Sequence, residues 1–417
     1  MSVSPEKKSA WRKVRPYIET FLRWTFRALV MGAVCGAVGA AFHYGVDLAG
    51  ELFRAHGWLL FLLPAAGLAI VGAYHAAGIR KDRGTNLVLS SLQSGEAISL
   101  KVVPLIFFGT VLTHLCGGSA GREGAALQIG AGLAACLNRI LHLEGKQAQA
   151  AVMCGMSGLF AAVFGTPVTA AVFSLEVGTV GTFYYTALYP CLLTAVTAWG
   201  VSRLLGVTGV VLDLSAVPPD TPLTLLRVLG LTLLCVLCSI LFLTVMHRAE
   251  RLYHRLLPNH YLRILTGGCL VVLCTLLSGS RTYNGAGMSA VADAVAGQAD
   301  PWDFLVKILF TALTIGAGYK GGEIVPTFFI GAAFGCTVGP LLGLEPGFAA
   351  AVGMVSLFCC VVNCPVASLL LAVELFGGRA LASFALACAL SYLMSGYYTL
   401  YAQQRIVYSK LADNEKE

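Results

Sequence analysis

From about Phe26 to Tyr401 apolar residues run almost without relief, and nothing else in the sequence restricts the fold as much. Charged residues make up only 12% of the 417 residues; average soluble domains carry roughly 25%. So few charges cannot cover a water-soluble globule of this size, and one membrane anchor would leave most of the apolar sequence unused. A helix needs about 20 apolar residues to cross the hydrocarbon layer, so the length allows roughly ten to fourteen membrane segments. The expected class is an all-α, polytopic membrane protein.

The formal net charge of +7 is concentrated at the ends of these segments rather than spread over a nucleic-acid-binding face. Lys7, Lys8, Arg12, Lys13, Arg15, Arg23 and Arg27 precede the first span; Arg80, Lys81 and Arg83 fall in a loop, as do His247, Arg248, Arg251, His254 and Arg255. Basic flanks favour the cytoplasmic side. The N-terminus is therefore expected inside, in a plasma membrane (a bacterial inner membrane), with the bilayer as partner and no nucleic acid. No short apolar stretch ending in an A-x-A-like site follows Met1, so no cleaved leader is expected. The 14 cysteines lie mostly in apolar runs, where a thiol packs as a small hydrophobe. The Cys235/Cys238 pair has no second pair, and neither a metal nor a cofactor is expected.

The chain repeats itself. GMSGLFAAVFGTPVTAAVFSLE (155–176) aligns with GMVSLFCCVVNCPVASLLLAVE (353–374) at an offset of 198, matching Gly155/Gly353, Met156/Met354, Pro167/Pro365 and Glu176/Glu374. Upstream, GREGAALQIG (121–130) aligns with GEIVPTFFIG (322–331) at an offset of 201. The boundaries expected from this duplication are a basic segment 1–27, a first membrane repeat 28–205, a second repeat 206–402 and a short polar tail 403–417. Membrane proteins built from two related halves are commonly transporters whose site lies between the halves, on broken helices. Both repeats supply the breaks. Gly117 to Gly121 precede a helical run from about Ala125 to Leu141; Gly316, Gly318, Gly321 and Gly322 precede one from about Pro326 to Leu342. Two glycine-rich helix starts that present free N–H groups suit an anion.

Glu123, Glu176, Glu323 and Glu374 lie in membrane-like surroundings, where a charge must be paired, protonated or functional. Glu123 stands in the first helix-start loop. Its carboxylate can occupy the anion site and leave on protonation, coupling the two ions; the plainer alternative is a local pair with Arg122. The matched Glu176 and Glu374 favour a structural role. Glu323, at the second helix start, would repel an anion unless neutral. No HExxH pair and no Ser/His or paired-Asp arrangement emerges, so an enzyme is not expected, and His114 reads as a packed, hydrogen-bonded residue.

These residues resemble the CLC family of chloride channels and anion/proton antiporters. Its G-R-E-G-P motif is matched by Gly121-Arg122-Glu123-Gly124-Ala125, its G-x-F-x-P by Gly322-Glu323-Ile324-Val325-Pro326, and its terminal tyrosine segment by Leu400-Tyr401-Ala402. The resemblance runs from about residue 28 to 402 and implies two inverted helical repeats, with two subunits pairing and one pathway in each. Three departures resemble the fluoride-exporting branch: Gly84-Thr85-Asn86-Leu87-Val88 in place of G-S-G-I-P, Glu323 inside the second motif, and Ala125 in place of proline. Thr85 differs from the Asn or Met usual in that branch. The resemblance implies a fluoride/proton antiporter exporting fluoride against proton entry, with Glu123 as the gating and proton-transfer acid. Thr85, Asn86, Arg122, Gly124, Glu323, Ile324, Val325 and Tyr401 are the expected anion-binding residues. The alternative within the family is a chloride or nitrate/proton antiporter, or a passive anion channel. The tail ends soon after Lys410, without room for the paired regulatory domains of some relatives.

Overall fold

The computed structural model describes residues 5–80, 82–214, 216–408 and 410, with side chains from Arg12 onward; the side chains of Lys7 and Lys8, residue Lys81 and the end of the tail lie outside the described residues. Before residue 205 run α1 (Pro5–Ala55), α2 (Leu63–Ala76), α3 (Thr85–Ser94), α4 (Val102–Leu115), α5 (Glu123–Ile140), α6 (Gly145–Phe164), α7 (Pro167–Glu176) and α8 (Leu188–Leu204). After it run α9 (Pro222–Leu256), α10 (His260–Ser278), α11 (Met288–Val295), α12 (Asp303–Ala317), α13 (Ile324–Val338), α14 (Pro346–Val362), α15 (Pro365–Phe376) and α16 (Leu381–Met394). Two short parallel strands, β1 (Thr179–Val180) and β2 (Arg405–Ile406), join the end of the first half to the C-terminal segment.

Among the described residues, six stretches are long and apolar enough to cross a membrane unaided, and five shorter apolar helices span 10–17 residues. These eleven apolar segments fall within the expected ten to fourteen, but five of them are shorter than a full span. The reason is local. Gly165 ends α6 at φ +85° and Asn363 ends α14 at φ +55°, both left-handed; Pro167 and Pro365 then open α7 and α15 as first helical residues. One apolar run thus becomes a longer helix of 20 or 17 residues followed by a short one of 10 or 12.

The two halves are related repeats, and the relation is visible in reciprocal contacts. Gly121 and Gly322 form an antiparallel bridge, each N–H donating to the other's carbonyl at 2.7 Å. Glu176, at the end of α7, accepts from the Val366 and Ala367 N–H groups at the start of α15 (3.2 and 2.9 Å). Glu374, near the end of α15, accepts from Val168 and Thr169 at the start of α7 (3.0 and 2.8 Å). Each acid caps the other repeat's broken helix, the structural role its matched position suggested. A Cβ on Gly130 would meet the Gly155 carbonyl at 2.2 Å, and one on Gly331 the Gly353 carbonyl at 2.6 Å. These glycines match between repeats because each pair is a backbone-on-backbone helix crossing, as small residues allow in membranes. The core between the halves is built from Phe160, Phe164, Phe173, Phe328 and Phe358, all buried.

Candidate anion and proton site

The starts of α5 and α13 meet at the Gly121–Gly322 bridge. The first intrahelical bonds run from Ala126 N to Arg122 O (2.9 Å) and from Thr327 N to Glu323 O (3.0 Å), so the N–H groups ahead of them have no intrahelical acceptor, and those of Glu123 and Val325 face the Glu123 carboxyl instead. Close approach is needed here: a Cβ on Gly322 would stand 2.5 Å from the Gly124 nitrogen, and one on Gly121 would stand 2.6 Å from Glu123 Oε2.

Glu123 is 1% exposed at the first position of α5. Its Oε2 accepts from the Arg122 N–H at 3.0 Å, the Val325 N–H faces the carboxyl from the other repeat, and Oε1 has no hydrogen-bond partner. The Arg122 side chain turns away. Its guanidinium donates to Asp47 on α1 at 2.8 Å, and His43 Nε2 lies 3.0 Å from the other Asp47 oxygen. The ion pair of the Arg122 guanidinium is therefore with Asp47 rather than with Glu123, and the hydrogen bond that Arg122 gives the acid comes from its backbone.

Beside this meeting point lies a cavity of about 440 Å³, lined in part by Thr85, Asn86, Gln128, Glu323 and Tyr401. Thr85 is buried at the first position of α3, with its hydroxyl oxygen 3.5 Å from where a Gly124 Cβ would stand. The Asn86 side-chain oxygen accepts from the Gln403 N–H at 3.1 Å, tying α3 to the C-terminal segment that carries Tyr401. Tyr401 is 2% exposed and its hydroxyl has no partner, while both Glu323 and Glu123 lie close enough to act on it electrostatically. Glu323 occupies the N-cap position of α13, with its carboxyl on the cavity wall. Ile324 and Val325 are buried in the first turn behind it and contribute backbone rather than side chains.

Thr85, Asn86, Glu323 and Tyr401 thus share one cavity, Glu123 and Gly124 lie at the helix junction, and the Arg122 side chain belongs to neither. Sequence reasoning missed Gln128. It is 4% exposed on the cavity wall; its Nε2 donates to the Gly124 carbonyl at 3.2 Å and its Oε1 has no partner. The signal was present, since Gln128 follows Gly124 by one helical turn inside the repeated block. His114 is buried with Nδ1 2.8 Å from the Thr110 carbonyl, as a packed histidine. Among the described residues, three buried polar atoms at the helix junction and the cavity wall (Glu123 Oε1, Tyr401 hydroxyl and Gln128 Oε1) have no hydrogen-bond partner. Such atoms are costly in a finished core and ordinary in a site that exchanges occupants.

Outside the spanning helices, the loop from α2 to α3 forms the rim. There Lys320 donates to Asp82 at 2.6 Å and lies over the Tyr74 ring at 4.4 Å. Burial alone would raise the Asp82 carboxyl, but Lys320 and the Gly84 N–H (3.1 Å) hold it below its ordinary value.

Comparison with known proteins agrees with this architecture. The family model described as voltage gated chloride channel matches residues 67–396. A "Chloride/fluoride channel protein" of Pseudomonas syringae pathovar tomato is 36% identical over 95% of this chain and 88% of its own length. An H(+)/Cl(-) exchange transporter of Vibrio cholerae is 26% identical, covering 84% and 81%. The crystal structure of a CLC-type fluoride/proton antiporter superposes with a TM-score of 0.89 at 34% identity, over 93% of this chain and 98% of that one. A slow cyanobacterial Cl-/H+ antiporter, at 18% identity, shares the fold with a TM-score of 0.76. With a matched profile over most of its length and the related repeats in place, the chain belongs to the voltage gated chloride channel (CLC) family.

Proposed function

We propose that this protein is a fluoride/proton antiporter that exports fluoride as protons enter, with Glu123 as the group that carries the proton and alternately blocks the pathway. The observation that carries the reading is the buried Glu123 carboxyl at the junction of two broken helices, beside a cavity lined by Tyr401 and by a second acid, Glu323, at the other helix start. Fluoride is small and tightly hydrated, so a site must replace its water with several donors. The N–H groups at Glu123, Gly124, Ile324 and Val325, the Thr85 and Tyr401 hydroxyls and the Asn86 amide are those donors; Arg122 acts through its backbone. Glu323 keeps the cavity suited to an anion when it holds a proton and opposes one when it does not. The named activity of the fluoride/proton antiporter with the same architecture supports this choice. A chloride/proton exchanger is the second reading, supported by the Vibrio relative.

Exposed apolar side chains on α1, α9 and α10, such as Phe26, Leu237 and Leu277, meet lipid or a second subunit. Pairing into a homodimer with a pathway in each subunit accords with the family. The exposed basic side chains from Arg12 to Arg23 support a cytoplasmic N-terminus in a bacterial plasma membrane.

The test is Glu123→Gln in proteoliposomes, with fluoride efflux and proton uptake read together. Abolished coupled flux is expected; unchanged proton-coupled fluoride flux contradicts the gate.

A further inference from the structure

We infer that Lys307, a residue with no part in the anion site, is the positioning residue that sets the Glu123 loop, acting through the segment 281–287; this rests on Glu123 being the coupling acid. Lys307 lies on α12 and is 0% exposed. Among the described residues no carboxylate reaches its ammonium. Its Nζ donates to the Tyr283 and Gly285 carbonyls at 3.0 and 2.9 Å and lies 5.1 Å from the centre of the Phe329 ring. The residues it holds in turn hold the glycine loop ahead of Glu123. Asn284 Nδ2 donates to the Gly117 carbonyl at 2.7 Å, and the Gly285 N–H donates to the Gly118 carbonyl at 3.1 Å. Along the same face of α12, one and two turns beyond Lys307, Thr311 and Thr314 take the next residue: Ser119 N donates to Thr314 Oγ1 at 3.1 Å, and the Ser119 and Thr311 hydroxyls are 3.2 Å apart. Gly117, Gly118 and Ser119 are thus each fastened from the second repeat, immediately before the Gly121–Gly322 bridge and Glu123.

Repeat symmetry does not call for a lysine. The offset that pairs Gly121 with Gly322 pairs Lys307 with Ile106 on α4, which is 1% exposed and apolar. The matching loop in the second repeat is fastened differently: the Tyr319 hydroxyl donates to the Leu63 and Ile264 carbonyls (2.9 and 3.1 Å), and Lys320 pairs with Asp82. Burying an ammonium against neutral dipoles is costly, and an apolar residue of similar volume usually holds a fold at least as well. What the ammonium adds is one donor centre that fixes two carbonyls of a loop at once. That loop stands on the side of the repeat carrying Glu123, so the asymmetry falls on the gate.

The test uses the full chain in liposomes, with fluoride efflux and proton uptake measured together for wild type, Lys307→Met, Asn284→Ala, Glu123→Ala and Lys307→Met/Glu123→Ala. Lys307→Met is expected to lower coupled turnover by on the order of 10- to 100-fold, the usual cost of a small misplacement of a reacting group, and to lower the proton-to-fluoride ratio. Asn284→Ala is expected to move both in the same direction. The double variant is expected to match Glu123→Ala alone, because residues acting through one group are not additive. A wild-type proton-to-fluoride ratio in Lys307→Met, or a loss that multiplies that of Glu123→Ala, overturns the inference. If Lys307→Met does not yield folded protein, Asn284→Ala decides, since it keeps the buried charge: an unchanged ratio there overturns it. A wild type that moves chloride in place of fluoride removes the substrate reading alone, and the same ratios are then read with chloride. A wild type that moves no protons removes the role of Glu123 and this inference with it.

Discussion

In the reading proposed above, the demands of folding and of transport separate within one side chain, Tyr401. Its hydroxyl is buried and unpartnered, so it contributes no hydrogen bond to stability and carries the desolvation cost of an unsatisfied group, about 1–3 kcal/mol. Tyr401→Phe is therefore expected to leave the thermal unfolding temperature unchanged or to raise it, while slowing fluoride transport about tenfold, equivalent to roughly 1.4 kcal/mol of lost anion stabilisation. A lowered unfolding temperature with unchanged transport would assign the hydroxyl to the fold. Asp82 behaves in the opposite sense. Its carboxyl is held below its ordinary value by Lys320, so its contribution is fully present above the unfolded value of about 4 and is lost only as pH falls through the still lower folded value. Asp82→Asn leaves the largely buried Lys320 unpaired, at a cost of about 3 kcal/mol that is the same at pH 5 and pH 8. Thermal unfolding at the two pH values checks this, and the pH profile of transport is expected to keep its shape. The proximity of the candidate residues was legible in the sequence where they belong to a motif: Glu123 and Gly124 lie at the helix junction, and Glu323 and Tyr401 line the cavity beside it. The partner of Arg122 was not, because Asp47 lies 75 positions upstream on a helix whose apolar pattern does not reveal which face it turns to α5.

At the scale of elements, the broken helices are held in pairs. Because Glu176 caps α15 and Glu374 caps α7, Glu176→Ala and Glu374→Ala are each expected to destabilise the protein by about 1–2 kcal/mol, the usual cost of losing a capping side chain. The losses fall on opposite repeats. Hydrogen exchange is expected to rise at the start of α15 in the first variant and of α7 in the second; a rise confined to the mutated helix would contradict reciprocal capping. The duplication was readable because these contacts impose the same residue at the same place twice: a glycine where helices cross, a proline where a helix restarts, an acid where a partner helix begins. Segment lengths were harder to read. Hydropathy counts apolar residues and does not see that Gly165 and Asn363 turn the backbone left-handed, so that each break is followed by a helix of only 10 or 12 residues.

For the molecule as a whole, the repeat brings two helix starts from opposite ends of the chain to one point and leaves them chemically unequal. One carries Glu123, beside a loop fastened through Lys307; the other carries Glu323 and opens on a cavity. The symmetric part was visible in the sequence as a repeat. The asymmetric part depends on contacts such as Asn284 with Gly117, 167 residues apart, which no local pattern announces. In the reading proposed above, unequal ends on a symmetric scaffold suit the exchange of two different ions. The most direct measurement is fluoride movement in proteoliposomes driven only by a pH difference, read with a fluoride electrode beside a matched chloride experiment. Fluoride accumulation against its own gradient, collapsing when the pH difference is dissipated and much slower for chloride, is the expected result. Chloride moving as fast as fluoride, or fluoride running only down its gradient whatever the pH difference, would contradict fluoride/proton exchange.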